Sequence, residues 1–216
     1  MTLVFDFDGT LHDTAHVYAN AVREVYPSLV EDGIAAPREL TDDELSRFLG
    51  ITAQEMWRTI LPRDIDAEKL REVISSVGVL MRAQIERGES RLYPGIPELL
   101  TDLKKRGHTL VLLSNCTEAY MASQKKAWNL DRWFSAYYCS ETYGNLPKEE
   151  IFLSIMRDFP GKYLVIGDRE KDFRVGLVHG IPTIACCYGY GNESEWQLAD
   201  FRAHSVDELA EIIAGL

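Results

Sequence analysis

Asp6 and Asp8 interrupt an apolar run, "VFDFDGT", that closes on Gly9 and Thr10. Alternate side chains of an extended chain project to the same side, so the two carboxylates crowd one spot. Like charges held that close call for a cation. Three other clusters have residue types that could share a task with them. These are Ser114-Asn115 at the end of "HTLVLLSN", Lys148 in "LPKEEIF", and Asp168 with Asp172 in "GDREKD". Asp6, Asp8 and Asp168 offer the hard oxygen ligands that Mg²⁺ takes. Ser114 and Asn115 can donate hydrogen bonds to phosphate oxygens, and Lys148 adds positive charge. Together they suit phosphoryl transfer, in which charge stabilisation and positioning do most of the catalysis.

Such distant groups meet only if the fold gathers strand ends. From about Arg91 the pattern alternates between strand and helix. "HTLVLLSN", "AYYCS", "KYLVIGD" and "IPTIACC" read as strands, while "TEAYMASQKKAW", "KEEIFLSIMRDF", "DFRVGLVHG" and "SVDELAEIIAGL" read as helices. That alternation implies an α/β, Rossmann-like parallel sheet with helices on both faces. Ligands of open parallel sheets bind beyond the carboxyl ends of the strands, where all four clusters fall. Between the first strand and this region lies a purely helical block. His12 to Tyr26 has helical spacing, and Ala67 to Glu86 is amphipathic, with Leu70, Val73, Ile74, Val77 and Met81 on one face. Thr41 with Glu44, and Thr52 with Glu55, have capping-box spacing. The expected organisation is a core of residues 1–13 and 92–216 with a helical cap domain, 14–91, inserted after the first strand.

The 216 residues carry a net charge of −11, which excludes broad nucleic-acid binding and means that any anionic ligand is held by local groups or a metal. Cys116, Cys139, Cys186 and Cys187 form no C-x-x-C pair or zinc spacing, so they read as reduced thiols, which favours a cytoplasmic protein. No secretory leader or membrane-spanning run is expected, and no membrane partner. Nothing in the sequence specifies an oligomeric state. His12 and His16 read as surface or hinge residues, and "YGYGN", Tyr188 to Asn192, as a glycine-rich loop at the rim of the site.

The four clusters, in this order and spacing, resemble the four motifs of the haloacid dehalogenase-like hydrolase superfamily. The helical insert resembles the alpha-helical cap of the subgroup with phosphoglycolate phosphatase and beta-phosphoglucomutase. The resemblance implies that Asp6 is the nucleophile, forming an aspartyl-phosphate, and that Asp8 protonates the leaving oxygen and then activates water. It implies that Asp6, Asp168 and the backbone carbonyl of Asp8 hold Mg²⁺, and that Ser114 and Lys148 hold the phosphoryl group of a small phosphorylated substrate. Asp172 would orient Lys148 or a water on the metal. Glu149 follows Lys148 where many members have proline.

The expected activity is therefore that of a Mg²⁺-dependent phosphatase acting on a small metabolite, with the loop Leu49 to Gln54 contacting substrate from the cap. A phosphomutase is disfavoured, because Tyr18 and Ala53 stand where its pattern has histidine and arginine. A phosphonate hydrolase would need a cap lysine for a Schiff base, and only Lys69 is available. A non-catalytic binding protein on the same fold is the remaining alternative.

Overall fold

A run such as Thr2–Phe5, apolar at every position but the first, suits a central strand of a parallel sheet, which is covered on both faces. A computed structural model describes residues 1–49, 53–62 and 65–216 of the chain, and there this run is β1. The other strands are β2 (Thr109–Ser114), β3 (Phe134–Cys139), β4 (Tyr163–Gly167), β5 (Thr183–Cys186) and β6 (Phe201–Ala203). They form one sheet in the order β3-β2-β1-β4-β5-β6, with every neighbouring pair parallel. The chain builds outward from β1 on one side and then returns to build outward on the other. The strand order therefore reverses beside β1, which is where an open α/β sheet makes its ligand crevice.

The helices among the described residues are α1 (Thr14–Glu31), α2 (Asp42–Ser46), α3 (Ala53–Ile60), α4 (Ala67–Glu86), α5 (Ile96–Lys105), α6 (Glu118–Trp128), α7 (Lys148–Asp158), α8 (Glu170–His179), α9 (Glu193–Trp196) and α10 (Val206–Ala214). The chain divides into two compact units, one of Met1–Asp13 with Arg91–Leu216 and one of Thr14–Ser90.

In the α/β unit, Val4, Val111 and Val165 lie side by side across β1, β2 and β4. They pack with Ile151, Phe152 and Ile155 of α7 and Val175 of α8. Leu3 and Phe5, pointing the other way, are equally buried, so both faces of the sheet are covered. The helix termini follow local chemistry. Thr117 accepts a hydrogen bond from the Tyr120 amide at 3.2 Å to start α6, and Ser205 does the same for Glu208 at 3.1 Å to start α10. Neither β6 nor α9 is evident in the sequence pattern. β6 has three residues, of which only Ala203 is buried, too short to show a period of two.

The helical unit buries Val17, Ala21, Val22, Val25 and Leu29 of α1, Met56 and Trp57 of α3, and Leu70, Val73, Val77 and Ile85 of α4. Ile74 and Met81, expected on the apolar face of α4, are only half-buried; the buried stripe drifts toward Gln84 and Ile85. Gln84 donates to the Val17 carbonyl at 3.0 Å. α1 starts at Thr14 and runs through Pro27 to Glu31 rather than stopping at Tyr26. Thr41 caps α2 by accepting from the Glu44 amide at 3.3 Å. Thr52, the other expected cap, and Gly50 to Thr52 of the expected substrate loop lie outside the described residues.

Gly176 of α8 sits against the β5 segment so closely that a Cβ there would come 2.2 Å from Thr183 Cγ2 and 2.5 Å from the Ile181 carbonyl oxygen. At Gly78 of α4 the nearest atom would be Arg82 Nη1 at 3.4 Å. Alanine at Gly176 is expected to destabilise by about 1–3 kcal/mol through overpacking. Alanine at Gly78 is expected to stabilise by about 0.5–1 kcal/mol through helix propensity. Urea unfolding of the two variants should therefore shift in opposite directions; a Gly176→Ala variant as stable as the parent would refute the packing assigned to α8.

Candidate active site

Adjacent parallel strands β1 and β4 deliver acids to the same edge. The Asp6 amide still pairs with the Ile166 carbonyl at 2.9 Å, so Asp6 leaves β1 in register with the end of β4, where Asp168 follows. The chain then turns sharply. The amides of Leu11 and His12 both converge on the Phe7 carbonyl at 2.9 Å, and the Gly9 amide pairs with the His12 carbonyl at 2.9 Å. Gly9 adopts φ +81°, and a Cβ there would lie 2.3 Å from Asp168 Oδ2. Both the left-handed backbone and the close approach require glycine.

Asp168 is fully buried. Its Oδ1 accepts from the Thr10 hydroxyl at 3.3 Å and its Oδ2 from the Tyr190 amide at 2.8 Å. The glycine-rich loop therefore closes over this carboxylate. Asp172, in the first turn of α8, accepts from the Arg169 amide at 3.1 Å through Oδ2. Lys148, the first residue of α7 and 3% exposed, reaches both neighbouring acids. Its Nζ lies 2.8 Å from Asp6 Oδ1 and 2.6 Å from Asp172 Oδ1.

The ammonium contacts two of three clustered carboxylates: it meets Asp6 and Asp172, while oxygens of Asp6, Asp168 and Asp172 all lie within 4.8 Å of one another. Burial pushes the Asp6 carboxyl up to about 7; Lys148 opposes the rise, while Asp172 and Asp8 add to it. Asp172 holds the closer contact with the ammonium, so Asp6 is left under-neutralised. Burial, then Asp6 and Asp172, push Asp168 well above the usual carboxylate range. For Lys148 burial disfavours the charge, but the attraction of Asp172 and Asp6 outweighs it and holds the lysine protonated.

Asp8 points elsewhere. Its Oδ1 accepts from the Tyr120 hydroxyl at 2.7 Å and lies 3.3 Å from His12 Nδ1. His12 is therefore not a surface residue: the tight turn folds it back inside, fully buried and stacked on Phe7. His16 is exposed. Ser114 ends β2 as a buried residue, Asn115 is exposed just beyond it, and Cys116 lies with its sulfur 3.8 Å from that of Cys139. The structure thus joins Asp6, Lys148 and Asp172 by direct contact and brings an Asp168 oxygen within 4.8 Å of those of Asp6 and Asp172. It sets Asp8 in a separate hydrogen-bonded group and places Ser114 and Asn115 at the end of the strand next to β1. His12, Tyr120 and Gln124 are contacts that the motifs do not name, while Thr10 belongs to the first motif and Tyr190 to the glycine-rich loop. The only signal for two of them is the spacing of Tyr120 and Gln124, four apart on one helix face.

Residues 3–186 match the family described as haloacid dehalogenase-like hydrolase. The chain belongs to that family. Among its curated relatives, a phosphoglycolate phosphatase of Agrobacterium fabrum is 31% identical over 199 residues, covering 87% of this chain and 80% of the relative. A 5′-nucleotidase of Pseudomonas aeruginosa is 29% identical over 218 residues, covering 99% and 92%. Among solved structures, a predicted phosphatase from Clostridium acetobutylicum superposes with a TM-score of 0.83 at 26% identity, covering 100% of this chain and 98% of that one.

Two details of this haloacid dehalogenase-like hydrolase bear on the alternatives. Glu149, beside the lysine, is turned away and paired with Arg174 of α8 at 3.0 Å, so its charge is met outside the cluster. In the helical unit, Lys69 donates to Asp32 at 3.1 Å, and that bond raises its affinity for the proton. An imine-forming lysine needs the reverse. No helix among the described residues is long and apolar enough to cross a membrane.

Asp6 binds its proton more tightly folded than unfolded. The stability this confers is present below about pH 4 and is lost as the pH rises through about 7. With divalent cations chelated, the unfolding temperature is expected to fall between about pH 5 and about pH 8, and Asp6→Asn to flatten the slope. Calorimetry of the two proteins would check this; an identical slope in Asp6→Asn would place its origin elsewhere.

Proposed function

We propose that this phosphoric monoester hydrolase passes the phosphoryl group of a small phosphorylated metabolite to Asp6 and then to water, with Mg²⁺ as its cofactor. The supporting observation is the charge deficit: Asp6, Asp168 and Asp172 cluster together, and the buried lysine beside them pairs with Asp6 and Asp172 but not with Asp168 among the contacts described. A divalent cation would balance it. The donors are all oxygen, which suits Mg²⁺ rather than a thiol-seeking metal. Asp172 is committed to Lys148 and the Arg169 amide. Asp6 and Asp168 are therefore the side chains assigned to the cation, joined by the backbone carbonyl of Asp8 as the family resemblance implies. When bound, it supplies neutralising charge for the phosphoryl oxygens.

The chain's own groups divide the remaining work. Asp6 attacks phosphorus through a carboxylate oxygen, a P–O bond forms, and the bond to the ester oxygen breaks. Asp8 gives its proton to that departing oxygen. In the second half Asp8 takes a proton from water as the water attacks phosphorus, and Asp6 leaves as a carboxylate. Lys148 offsets charge on the transferred group and keeps Asp6 oriented, while Asp172 holds Lys148 in place. Ser114 and Asn115 donate to phosphoryl oxygens from the end of β2. Phosphoglycolate and nucleoside 5′-monophosphates, suggested by the names of the two curated relatives, are the first esters to try.

The protein is expected to hydrolyse 4-nitrophenyl phosphate with Mg²⁺, to lose that activity in EDTA, and to lose roughly a thousandfold or more in Asp6→Asn. Mg²⁺ should also raise the unfolding temperature more at about pH 8 than at about pH 5, where protons occupy the carboxylates it would bind. Turnover that survives both chelation and Asp6→Asn would overturn the assignment.

A further inference from the structure

We propose that His12, Tyr120 and Gln124 are positioning residues that hold the general acid Asp8 by one carboxylate oxygen and thereby fix which oxygen exchanges the proton. The inference rests on the reading of Asp8 as the acid–base group.

Hydrogen direction within the cluster carries it. Tyr120 has one hydroxyl hydrogen, and Asp8 Oδ1 at 2.7 Å is its acceptor. The Tyr120 oxygen then accepts from Gln124 Nε2 at 3.2 Å. The same amide nitrogen lies 3.4 Å from His12 Nε2. An amide nitrogen has only hydrogens to offer, so His12 Nε2 presents its lone pair and the ring hydrogen sits on Nδ1. That Nδ1 is 3.3 Å from both Asp8 Oδ1 and the Tyr120 oxygen. Gln124 thus donates to Tyr120 and His12, and both are directed at a single oxygen of Asp8.

The arrangement is costly to bury and rigidly held. His12 and Gln124 are fully buried and Tyr120 nearly so. Unpartnered polar atoms in such a place would cost a few kcal/mol each, so an ordinary core would use apolar residues. His12 is stacked on Phe7 with ring centroids 5.2 Å apart, and its carbonyl is tied to the Gly9 amide across the turn. Tyr120 and Gln124 project from successive turns of α6, which opens just after Ser114-Asn115.

With Oδ1 accepting two donors, rotation of the carboxyl group is restrained and Oδ2 carries the proton. When Oδ2–H protonates the departing oxygen, the O–H electron pair stays on the carboxylate and its bonds to Tyr120 and His12 become charge-assisted. The hold therefore tightens as the proton leaves, which is stabilisation realised in the transition state. The benefit is greatest where the departing oxygen most needs a proton.

The test is kcat/KM on phenyl phosphate, a poor leaving group, and on 2,4-dinitrophenyl phosphate, a good one. Tyr120→Phe, which removes one oxygen and keeps the ring, is expected to lose roughly tenfold on phenyl phosphate and less than about threefold on the dinitrophenyl ester. His12→Leu should show the same bias, and His12→Asn, whose amide can donate from near the Nδ1 position, should recover most of the loss. Asp8→Asn supplies the reference. If Asp8→Asn shows the leaving-group bias and neither Tyr120→Phe nor His12→Leu does, the positioning role is wrong while Asp8 stands as the acid. If Asp8→Asn shows no bias, Asp8 is not the acid and both readings fall. Equal losses on both esters in folded Tyr120→Phe would mark a structural role only and overturn the proposal. If Tyr120→Phe does not fold, the His12→Leu and His12→Asn pair decides.

Discussion

The excess of negative charge at the carboxyl ends of β1 and β4 is the constraint around which the α/β unit is arranged. Two unit charges about 5 Å apart repel by about 3–4 kcal/mol at an effective dielectric constant of about 20, more than a helix cap contributes. Side-chain rotation cannot relieve this. Phe5 pairs with Ile166 and the Asp6 amide with the Ile166 carbonyl, so backbone register brings Asp6 and Asp168 to one place. Lys148 satisfies part of the deficit and Thr10 and the Tyr190 amide a little more, all from elements that close around the acids. The apolar layer of Val4, Val111, Val165 and Phe152 beneath them supplies the stability that lets the crowding persist.

This explains which parts of the site can be read from the sequence. The positions of Asp6, Asp168 and Ser114 depend on strand order alone, and an open parallel sheet brings strand ends to one edge whatever lies between them. The boundaries of α4 follow from its periodicity, and the cap of α2 from Thr41 and Glu44. The surroundings of Asp8 are another matter. Its partner Tyr120 is 112 residues away, and a tyrosine and a glutamine four apart on a helix are ordinary surface or core residues until the docking of that helix is known. His12 reads as a surface or hinge residue because the histidines show no ligand spacing in the sequence. It becomes a core residue because Phe7 accepts successive amides and winds the chain back on itself. β6 is legible only as the edge that β5 pairs with.

Glu149 shows how a charge that looks wrong in the sequence is made harmless. A second acid beside Lys148 would deepen the deficit if it faced the cluster. On α7, however, successive residues point about 100° apart, so Lys148 turns inward while Glu149 meets Arg174 on α8. The Glu149 carbonyl also lies 2.7 Å from His179 Nε2 at the far end of α8, tying the two helices together. The positions of Lys148 and Asp172, one on each helix, therefore depend on the same packing that removes the charge of Glu149 from the site.

α6 places the Asp8 group under a similar discipline. It starts where Ser114 and Asn115 end, capped by Thr117, and stops at Asn129 in a left-handed conformation. Between those ends Tyr120 and Gln124 have fixed spacing, so whatever seats the helix seats both hydrogen-bonding groups together. A loop could present a tyrosine to Asp8, but it would pay the ordering cost separately for each contact. A capped helix running directly from β2 makes the placement part of the fold. Every polar group in the cluster comes from a strand end, the tight turn after β1, the first turns of a helix, or the loop after β5. The site can therefore hold several like charges in register, and Asp8 can differ from Asp6 through its surroundings, although the two are separated by a single residue.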